Sequence, residues 1–260
     1  MALIIEMMMN TSVTRFLLCV VFMASLSWAQ AQQQIPNGNF ERWENSGKQI
    51  EPVGWNSLMS ADLCTFCSIG ASQRIFIEKY GFNGFGSSLR IESTSALGVV
   101  VNGTITTGRV TAPSLVPSGG YNRTVLSDPE FQLPFDDKPD SLVFWAKYSI
   151  TDKSDSAIVS FLLHDKFEQT DPPRSEGNLQ PSGKAQLVFQ TGSKWQRISI
   201  PFHYLNLTEQ NPAYLLATFS SSFEPGKGNS NAKLWIDEVE LIYNRTYQAL
   251  NSNAGSKSYE

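Results

Sequence analysis

Carboxylates are the side chains of this chain best suited to support a reaction on their own. The sequence holds two histidines, His164 and His203, and has no His-x-x-x-His pair, no Gly-x-Ser-x-Gly turn and no phosphate-binding loop, which removes many enzyme classes. A glycoside hydrolase needs only two carboxyl groups at a suitable separation. Nothing in the spacing of the acids singles out a pair, so an enzyme stays an open alternative and we favour a non-catalytic protein. The candidate acids are Asp136, Asp137, Asp165, Glu168, Asp237 and Glu238.

The cysteine spacing suggests a second kind of chemistry. Cys64 and Cys67 form a Cys-x-x-Cys motif, which in a cytosolic protein would indicate redox chemistry or half of a zinc site. A zinc site needs two more ligands, and both histidines lie far away in the sequence. In an exported protein a local disulfide is the simpler interpretation. We therefore predict a Cys64–Cys67 disulfide that closes a short loop.

The N-terminus has the pattern of an export signal. Arg15 precedes the apolar run Phe16–Trp28, and the small-residue site Ala29-Gln30-Ala31 follows. The run is shorter than the roughly 20 apolar residues that a membrane-spanning helix needs, and we expect no transmembrane span. We predict that residues 1–31 are a cleaved signal peptide and that residues 32–260 form one domain, with its core at about 37–245. The expected location is secreted, periplasmic or on the outer cell surface.

The charge balance gives no indication of a nucleic-acid partner. The formal net charge is -4, and the isoelectric point is about 5.3. A nucleic-acid-binding surface needs a basic patch, and the sequence contains none.

The stretch Leu234–Tyr243 predicts a β-strand with an irregularity in its middle. Leu234 and Ile236 fall on one face, whereas Val239 and Leu241 have the opposite parity. This change of phase indicates a bulge near Asp237-Glu238, or a strand that is buried on both faces. A charged pair inside an apolar strand is costly unless it is solvated, paired or bound to a cation.

Many further short stretches alternate between apolar and polar residues, and no helix of ten or more residues is predicted. Turn signals at Asn102-Gly103, Thr151–Ser156 and Thr191–Ser193 predict hairpins between the strands on either side of each. This pattern predicts an all-β fold, a β-sandwich or jelly roll. The predicted strands are one within Ile35–Trp55, then Arg74–Glu78, Ser88–Ser93, Leu97–Val101, Thr104–Val110, Ser141–Ile150, Ala157–His164, Lys184–Gln190, Trp195–Phe202 and Tyr214–Ser220.

The two ends of the predicted domain carry matching motifs. They are Asn37-Gly38-Asn39-Phe40-Glu41 and Leu234-Trp235-Ile236-Asp237, with Leu133-Pro134-Phe135, Phe144-Trp145-Ala146-Lys147-Tyr148 and Ile200-Pro201-Phe202 between them. Over about residues 37–243 the chain resembles secreted jelly-roll modules of the galactose-binding-like type that bind carbohydrate. The closer resemblance is to the putative carbohydrate metabolism domain (PCMD) family of secreted bacterial proteins. It implies that the two chain ends lie side by side in one sheet.

The resemblance also implies a structural calcium ion. In jelly-roll sugar-binding modules the Glu of the opening motif and the Asp of the closing strand commonly meet at such an ion, which takes carboxylate and carbonyl oxygens together. The matching residues are Glu41 and Asp237, with Asn39 nearby. In the alternative interpretation, Asp237 caps a bulge and Glu41 pairs with a surface Arg or Lys.

For glycan contact we select residues that could form an aromatic platform with polar neighbours. On the predicted strand Ser141–Ile150, Trp145 and Lys147 lie on the face opposite to Leu142 and Phe144, and Arg197 lies on the outer face of its own strand. A glycine-rich loop adds Tyr80, Phe82 and Phe85, whose rings can stack on sugars or fold back as a small core beneath the loop. The motif residues Trp43, Trp55 and Trp235 are expected in the main core.

The expected function is non-catalytic binding of an oligo- or polysaccharide outside the cell, in polysaccharide capture or utilisation. Other surface proteins of glycan utilisation are candidate partners. The alternatives are a glycoside hydrolase that uses a carboxylate pair, and a structural surface or adhesion module.

Overall fold

The computed structural model describes residues 32–44, 50–65, 67–96, 98–151, 155–174, 180–205 and 210–243. The predicted signal peptide, residues 1–31, lies outside the described residues. One short helix, α1 (Cys67–Gly70), and two 3-10 turns, Pro117–Gly119 and Pro129–Phe131, interrupt a chain of strands. The strands are β1 Asp62–Leu63, β2 Ile75–Lys79, β3 Ser87–Glu92, β4 Thr94–Ala96, β5 Val99–Val101, β6 Thr104–Thr106, β7 Arg109–Ala112, β8 Tyr121–Arg123, β9 Ser141–Ser149, β10 Ala157–His164, β11 Thr170–Asp171, β12 Gly183–Phe189, β13 Gln196–Pro201, β14 His203–Tyr204, β15 Tyr214–Ser220 and β16 Lys233–Ile242.

Two five-stranded sheets form the body of the fold. One has the order β13-β9-β16-β3-β2 and is called the open sheet below; the other has the order β14-β12-β10-β15-β6 and is called the covered sheet. Each sheet turns one face of alternating apolar residues toward the other, as in a sandwich. The all-β jelly-roll prediction is confirmed.

The core between the two sheets is built around aromatic rings. Phe219 of the covered sheet meets Phe144 of the open sheet edge-to-face at 5.2 Å, and Phe161 beside it at 5.5 Å. Trp55, from the segment before β1, closes the group with its ring 6.2 Å from Phe219. All four rings are almost completely buried. Edge-to-face contacts of this kind add roughly 0.5–1.5 kcal/mol each beyond their burial.

Strand β16 lies at the centre of the open sheet, between β9 and β3, and contains the predicted bulge. Its register with β9 shifts between Asp237 and Glu240, and Glu238 has a φ of 49°. The extra residue lets Leu234 and Leu241, which have opposite parity, both point into the core. The Val239 amide donates to the Gly38 carbonyl at 2.9 Å, so the two chain ends meet at the bulge.

A four-stranded sheet with the order β1-β7-β8-β11, called the covering sheet, packs on the outward face of the covered sheet. Outward-facing Leu162 and Leu216 are buried beneath it. Thr124, next to β8, lies with its Oγ1 atom 2.9 Å from Nε2 of His164, which is itself fully buried. At β10 and β15 the covered sheet is therefore enclosed on both faces, whereas Gln186 and Val188 of β12 stay exposed.

Three predicted hairpins are wrong. β9 and β10 lie in different main sheets, and so do β12 and β13, so the turns between them carry the chain from one sheet to the other. After Asn102-Gly103, β6 pairs with β15 instead of β5, whose partner is β4.

The segment expected to contain the first strand, Ile35–Trp55, also differs from the prediction. Its described residues form turns and a single bridge between Trp43 and Pro52. Ile35, Phe40 and Trp55 nonetheless enter the main core. The two ends of the predicted domain are thus adjacent as predicted. In the described residues they are joined by the Val239–Gly38 bond and by side-chain hydrogen bonds of Gln34 and Tyr243, and they form no ladder there.

Candidate functional site

The outward face of the open sheet, called the open face below, carries a row of alternating rings and cations. Lys147 of β9 lies opposite Trp235 of β16. Trp235 in turn lies opposite Arg90 of β3, and Arg90 lies opposite Phe76 of the edge strand β2. Trp195, immediately before β13, extends the row on the other side of Lys147. All five side chains are partly exposed. Strand alternation places them there, because the intervening residues point into the core.

Each cation of this row lies over rings. The Lys147 ammonium is 5.0 Å from the centre of the Trp195 ring and 4.6 Å from that of Trp235. The Arg90 guanidinium is 4.9 Å from the centre of the Phe76 ring. Cation–π contacts at exposed sites contribute about 0.5–1 kcal/mol each. The row therefore holds its side chains in fixed positions without burying them.

The charges on the open face are balanced on one half only. Arg90 lies 3.2 Å from Glu78 and 2.8 Å from Glu92, and Lys233 lies 3.1 Å from the same Glu92 carboxylate. The Trp235 Nε1–H also donates to Glu78, at 3.1 Å. These contacts occupy the carboxylates on the β2–β3 side of the face.

Trp145 lies next to the row and is stacked against a ring of the glycine-rich loop. Its ring stacks on Phe82 with the centres 4.4 Å apart and the planes at 15°. Trp145 is partly exposed, and exposed Arg197 lies opposite it on β13. Of the three loop rings selected from the sequence, Phe82 is the one that folds back, and it does so onto the strand face.

The other two loop rings point outward. Tyr80 is 59% exposed and Phe85 is 79% exposed. The Lys79 ammonium lies 5.2 Å from the centre of the Tyr80 ring. These rings stand at the rim of the open face, beside the edge strand β2.

Two carboxylates hold the aromatic loop in place. Asp237 accepts a hydrogen bond from the Phe82 amide at 2.9 Å and a second from the Glu238 amide at 2.9 Å, at the bulge. Glu41 accepts from the Ser87 amide at 2.8 Å and the Ser87 hydroxyl at 3.0 Å. The position of Phe82 over Trp145 thus depends on Asp237. Glu41 uses a serine and a backbone amide where the sequence suggested a surface Arg or Lys.

Asp237 is 3% exposed, and within the described ranges it forms no ion pair. Burial, with the negative charges of Glu238 and Glu41, raises the pKa of Asp237 to about 6. The hydrogen bonds from the two amide donors lower the pKa and only partly offset this rise. The carboxylate is therefore held in a position where a bound cation would relieve both burial and repulsion.

Oxygen atoms of three residues lie close to Gly81. A Cβ atom built on Gly81 would press on Asp237 Oδ2 and would lie 2.7 Å from Phe85 O and 3.3 Å from Ser87 O. The glycine therefore leaves room for the Asp237 carboxylate and two loop carbonyl oxygens to lie against it. No cluster of three or more His, Cys, Asp or Glu side chains occurs among the described residues, so a cation bound at Asp237 would need backbone oxygens as further ligands.

The structure places the third predicted ligand elsewhere. Asn39 is exposed and lines a shallow open pocket with Glu238 and Glu240. Asp237 and Glu41 converge on the loop, and Asn39 does not join them.

Trp235 corrects a sequence expectation. It was expected in the core with Trp43 and Trp55, but it lies on the open face between Lys147 and Arg90. Trp55 is 2% exposed and lies in the core, and Trp43 packs partly buried against it. The signal was present in the sequence: Trp235 has the parity opposite to Leu234 and Ile236. Sequence reasoning also missed Trp195, Arg90 and Phe76.

The remaining candidate residues are scattered. Asp137 accepts from the Gln33 amide at 2.8 Å, and Glu168 pairs with Arg123 at 3.2 Å. Cys64 and Cys67 are joined by a disulfide at the edge of the covering sheet, where the Cys64 amide donates to Ala112 O at 2.9 Å. Among the described residues, no helix has the length and apolar character to span a bilayer.

Comparison with known proteins relates the chain to others through its fold. No family model and no curated protein matches the sequence. The crystal structure of a putative glycoside hydrolase from Bacteroides thetaiotaomicron VPI-5482 matches 79% of this chain and 70% of its own, at 20% identity and a TM-score of 0.59. This likeness is one of fold.

Two further solved structures are more distant. The family 11 carbohydrate-binding module from Clostridium thermocellum, in complex with a β-1,3-1,4-mixed-linked tetrasaccharide, has 14% identity and a TM-score of 0.37, with 77% of this chain and 94% of that one covered. A cyclase from Fischerella sp. TAU has 10% identity and a TM-score of 0.41, with 80% of this chain and 96% of that one covered.

Proposed function

We propose that this protein is an exported glycan-binding protein without catalytic activity, and that the open face is its binding surface. The observation that carries the proposal is Trp145, stacked on Phe82 at 4.4 Å and bordered by Lys147 and Arg197 on a solvent-accessible sheet face. Sugar sites combine a flat ring with polar groups that fix the orientation of the ligand.

The rigidity of the platform favours binding. The indole of Trp145 is fixed by Phe82, and the Lys147 side chain by the indoles of Trp195 and Trp235. Side chains that are already ordered lose little freedom when a ligand binds, so more of the contact energy appears as affinity. Exposed Tyr80 and Phe85 at the rim would extend the contact along a glycan chain.

Hydrolysis is the second candidate, and the carboxylates of the open face argue against it. Glu78 and Glu92 are engaged by Arg90 and Lys233. A glycosidase needs one carboxyl group that can donate a proton and a second that faces it across the sugar.

Other parts of the proposal follow from the sequence. Residues 1–31 act as a signal peptide, and the mature chain works in polysaccharide capture outside the cell, as a member of the PCMD family and beside other surface proteins of glycan utilisation. A calcium ion at Asp237 and Glu41, with loop carbonyl oxygens, stabilises the aromatic loop. Cys64 and Cys67 are oxidised in the exported protein.

The test is a binding screen of the purified protein against a broad polysaccharide panel by affinity electrophoresis, with an assay for released reducing sugar. Trp145→Ala is the test variant. Phe223→Ala is the matched control, because Phe223 is also an exposed ring, 48% exposed, but follows β15 at the end of the covered sheet.

We expect at least one polysaccharide to retard the native protein and the Phe223→Ala variant, without sugar release. Trp145→Ala should lose at least about tenfold in affinity, equivalent to about 1.4 kcal/mol. Sugar release by the native protein would establish the hydrolase instead. Absence of retardation by every polysaccharide would leave a structural module.

A further inference from the structure

The open face has an excess of positive charge at one place. On its β2–β3 side, Arg90 and Lys233 are matched by Glu78 and Glu92. On its β9–β13 side, Lys147 and Arg197 have no carboxylate within 4.0 Å in any described part of the chain. Two uncompensated cations therefore lie beside Trp145.

Lys147 is arranged so that its charge remains available. Its ammonium lies 5.0 Å and 4.6 Å from the centres of the two indole rings. Ring quadrupoles attract the cation but do not neutralise it. An anion that arrives from solvent therefore meets an ammonium whose position is already fixed.

Arg197 adds a second donor group at close range. It lies directly opposite Trp145 across the β13–β9 pair, and side chains opposite each other in an antiparallel pair have Cβ atoms about 4.5–5.5 Å apart. A guanidinium can bind a carboxylate or sulfate through two parallel hydrogen bonds. Lys147 lies two residues from Trp145 on the same face of β9, so both cations border the same ring.

We propose that the ligand of the open face is an acidic glycan, whose carboxylate or sulfate group binds Lys147 and Arg197 while a sugar ring stacks on Trp145. This inference depends on the proposed function of glycan binding and names the class of glycan. The anion contacts the cations and not the indole, because the face of an aromatic ring carries negative potential.

The charges on the β16 side of Trp145 favour one orientation of the bound ligand. Asp237 lies opposite Trp145 on β16, but its carboxylate is buried against the loop amides. Exposed Glu240 follows on the same strand, opposite Val143. The acidic group of the ligand is therefore attracted toward β13 and repelled from the β16 bulge.

The experiment compares glycans that differ only in charge. Polygalacturonate is paired with its methyl ester, and dextran sulfate with dextran; heparin and hyaluronan are added to the neutral panel. Affinity is measured for the native protein, for Arg197→Gln and Lys147→Gln, and for the matched control Lys184→Gln on the covered sheet. The salt dependence of binding is recorded for each.

We expect an acidic glycan to bind at least about tenfold more tightly than its neutral counterpart. Arg197→Gln and Lys147→Gln should each lose about tenfold for that glycan, whereas Lys184→Gln keeps native affinity. Binding to polygalacturonate would identify a carboxylate, and binding to dextran sulfate alone would identify a sulfate. Arg197 is exposed, so its variant tests the proposal even if Lys147→Gln unfolds.

Three results would overturn the inference, and they are distinguishable. In the first, neutral glycans bind as tightly as acidic ones, and Trp145→Ala loses this binding. That result would keep the proposed function and reject the acidic ligand. Equal losses in Lys184→Gln and Arg197→Gln would show diffuse charge attraction without a site. No binding to any glycan would reject both proposals.

Discussion

The two outward faces of this sandwich differ in exposure, although both come from strands with the same alternation. On the covered sheet, the outward residues Ser160, Leu162 and His164 are at most 4% exposed, because the covering sheet lies on them. On the open sheet, outward Trp145 and Lys147 stay partly exposed, and Arg197 is exposed. The presence of a further layer decides whether a face contributes stability or remains available to a ligand.

The difference appears in the chemistry of the two faces. His164 is buried, and its Nδ1–H donates to the Asp165 carbonyl at 2.8 Å, so its Nε2 accepts from the Thr124 hydroxyl. Both ring nitrogens are satisfied inside the protein. The polar groups of the open face include Lys147 and Arg197, whose charges no described carboxylate balances.

The largest expected effect is a difference in stability between the faces. Leu216→Ala on the covered face should lower the free energy of unfolding by about 2–5 kcal/mol, because it opens a cavity beneath the covering sheet. Arg197→Ala on the open face should change it by at most about 0.5 kcal/mol. Urea unfolding of both variants measures the contrast. Similar losses in the two variants would show that the two faces are packed alike.

Calcium should stabilise the protein through the loop beside the open face. If Asp237 and the loop oxygens bind the ion, calcium at 100 times its dissociation constant should stabilise the protein by about 2.7 kcal/mol. The double variant Glu41→Gln/Asp237→Asn should lose this response, and Glu168→Gln, a change at the covering sheet, should keep it. Thermal unfolding with calcium and with chelator gives the measurement. A response that survives in the double variant would place the ion elsewhere.

The pH dependence of stability should differ in sign between the faces. Burial raises the pKa of Asp237 to about 6 from 3.8, so the folded state holds this proton more tightly and Asp237 adds stability as the pH falls from about 6 to 3.8. Burial lowers the pKa of His164 to about 4 from 6.5, so His164 subtracts stability as the pH falls from 6.5 to about 4. The two contributions oppose each other in the native protein.

Single variants should separate the two contributions. In chelator, Asp237→Asn should make stability fall more steeply with acid than in the native protein, and His164→Gln should make it fall less steeply. Each slope should change by at most about 1.4 kcal/mol per pH unit. Unfolding in urea from pH 4 to 7 gives the slopes, and unchanged slopes in both variants would contradict the assignment.

Strand positions and faces could be predicted from the sequence, since alternation is a local property. β9 and β10 were placed within a residue or two, and Leu142, Phe144 and Ala146 were assigned to the core face. The change of parity within β16 also predicted the position of its bulge, near Asp237 and Glu238.

Strand partners could not be predicted in the same way. A turn such as Thr151–Ser156 indicates that the chain reverses, but not whether the next strand stays in its sheet. In a jelly roll the strands that follow one another often lie in opposite sheets, which is why the hairpins predicted at Thr151–Ser156 and Thr191–Ser193 are wrong. At Asn102-Gly103, β5 instead pairs back with β4, and β6 joins the covered sheet. The covering sheet could not be predicted from the sequence either, because its strands are only two to four residues long.

The residues of the candidate site could be predicted only where their positions depend on local alternation and not on strand pairing. Trp145 and Lys147 lie on the outward face that their parity predicts, whereas the contact of Phe82 with Trp145 is not predicted by the loop sequence. For Trp235 the motif predicts the core, but its parity, opposite to that of Leu234 and Ile236, indicates the outward face where it lies. The contribution of Trp195 depends on the pairing of β13 with β9, which local patterns do not reveal.

The most direct test of the central claim is to record the indole N–H signals of the 15N-labelled protein while the best glycan from the screen is added. The account predicts that the signals of Trp145, Trp195 and Trp235 shift with saturation, whereas that of Trp55, which is 2% exposed, does not. Saturable binding that leaves the three open-face signals unchanged would contradict the claim that this face is the binding surface.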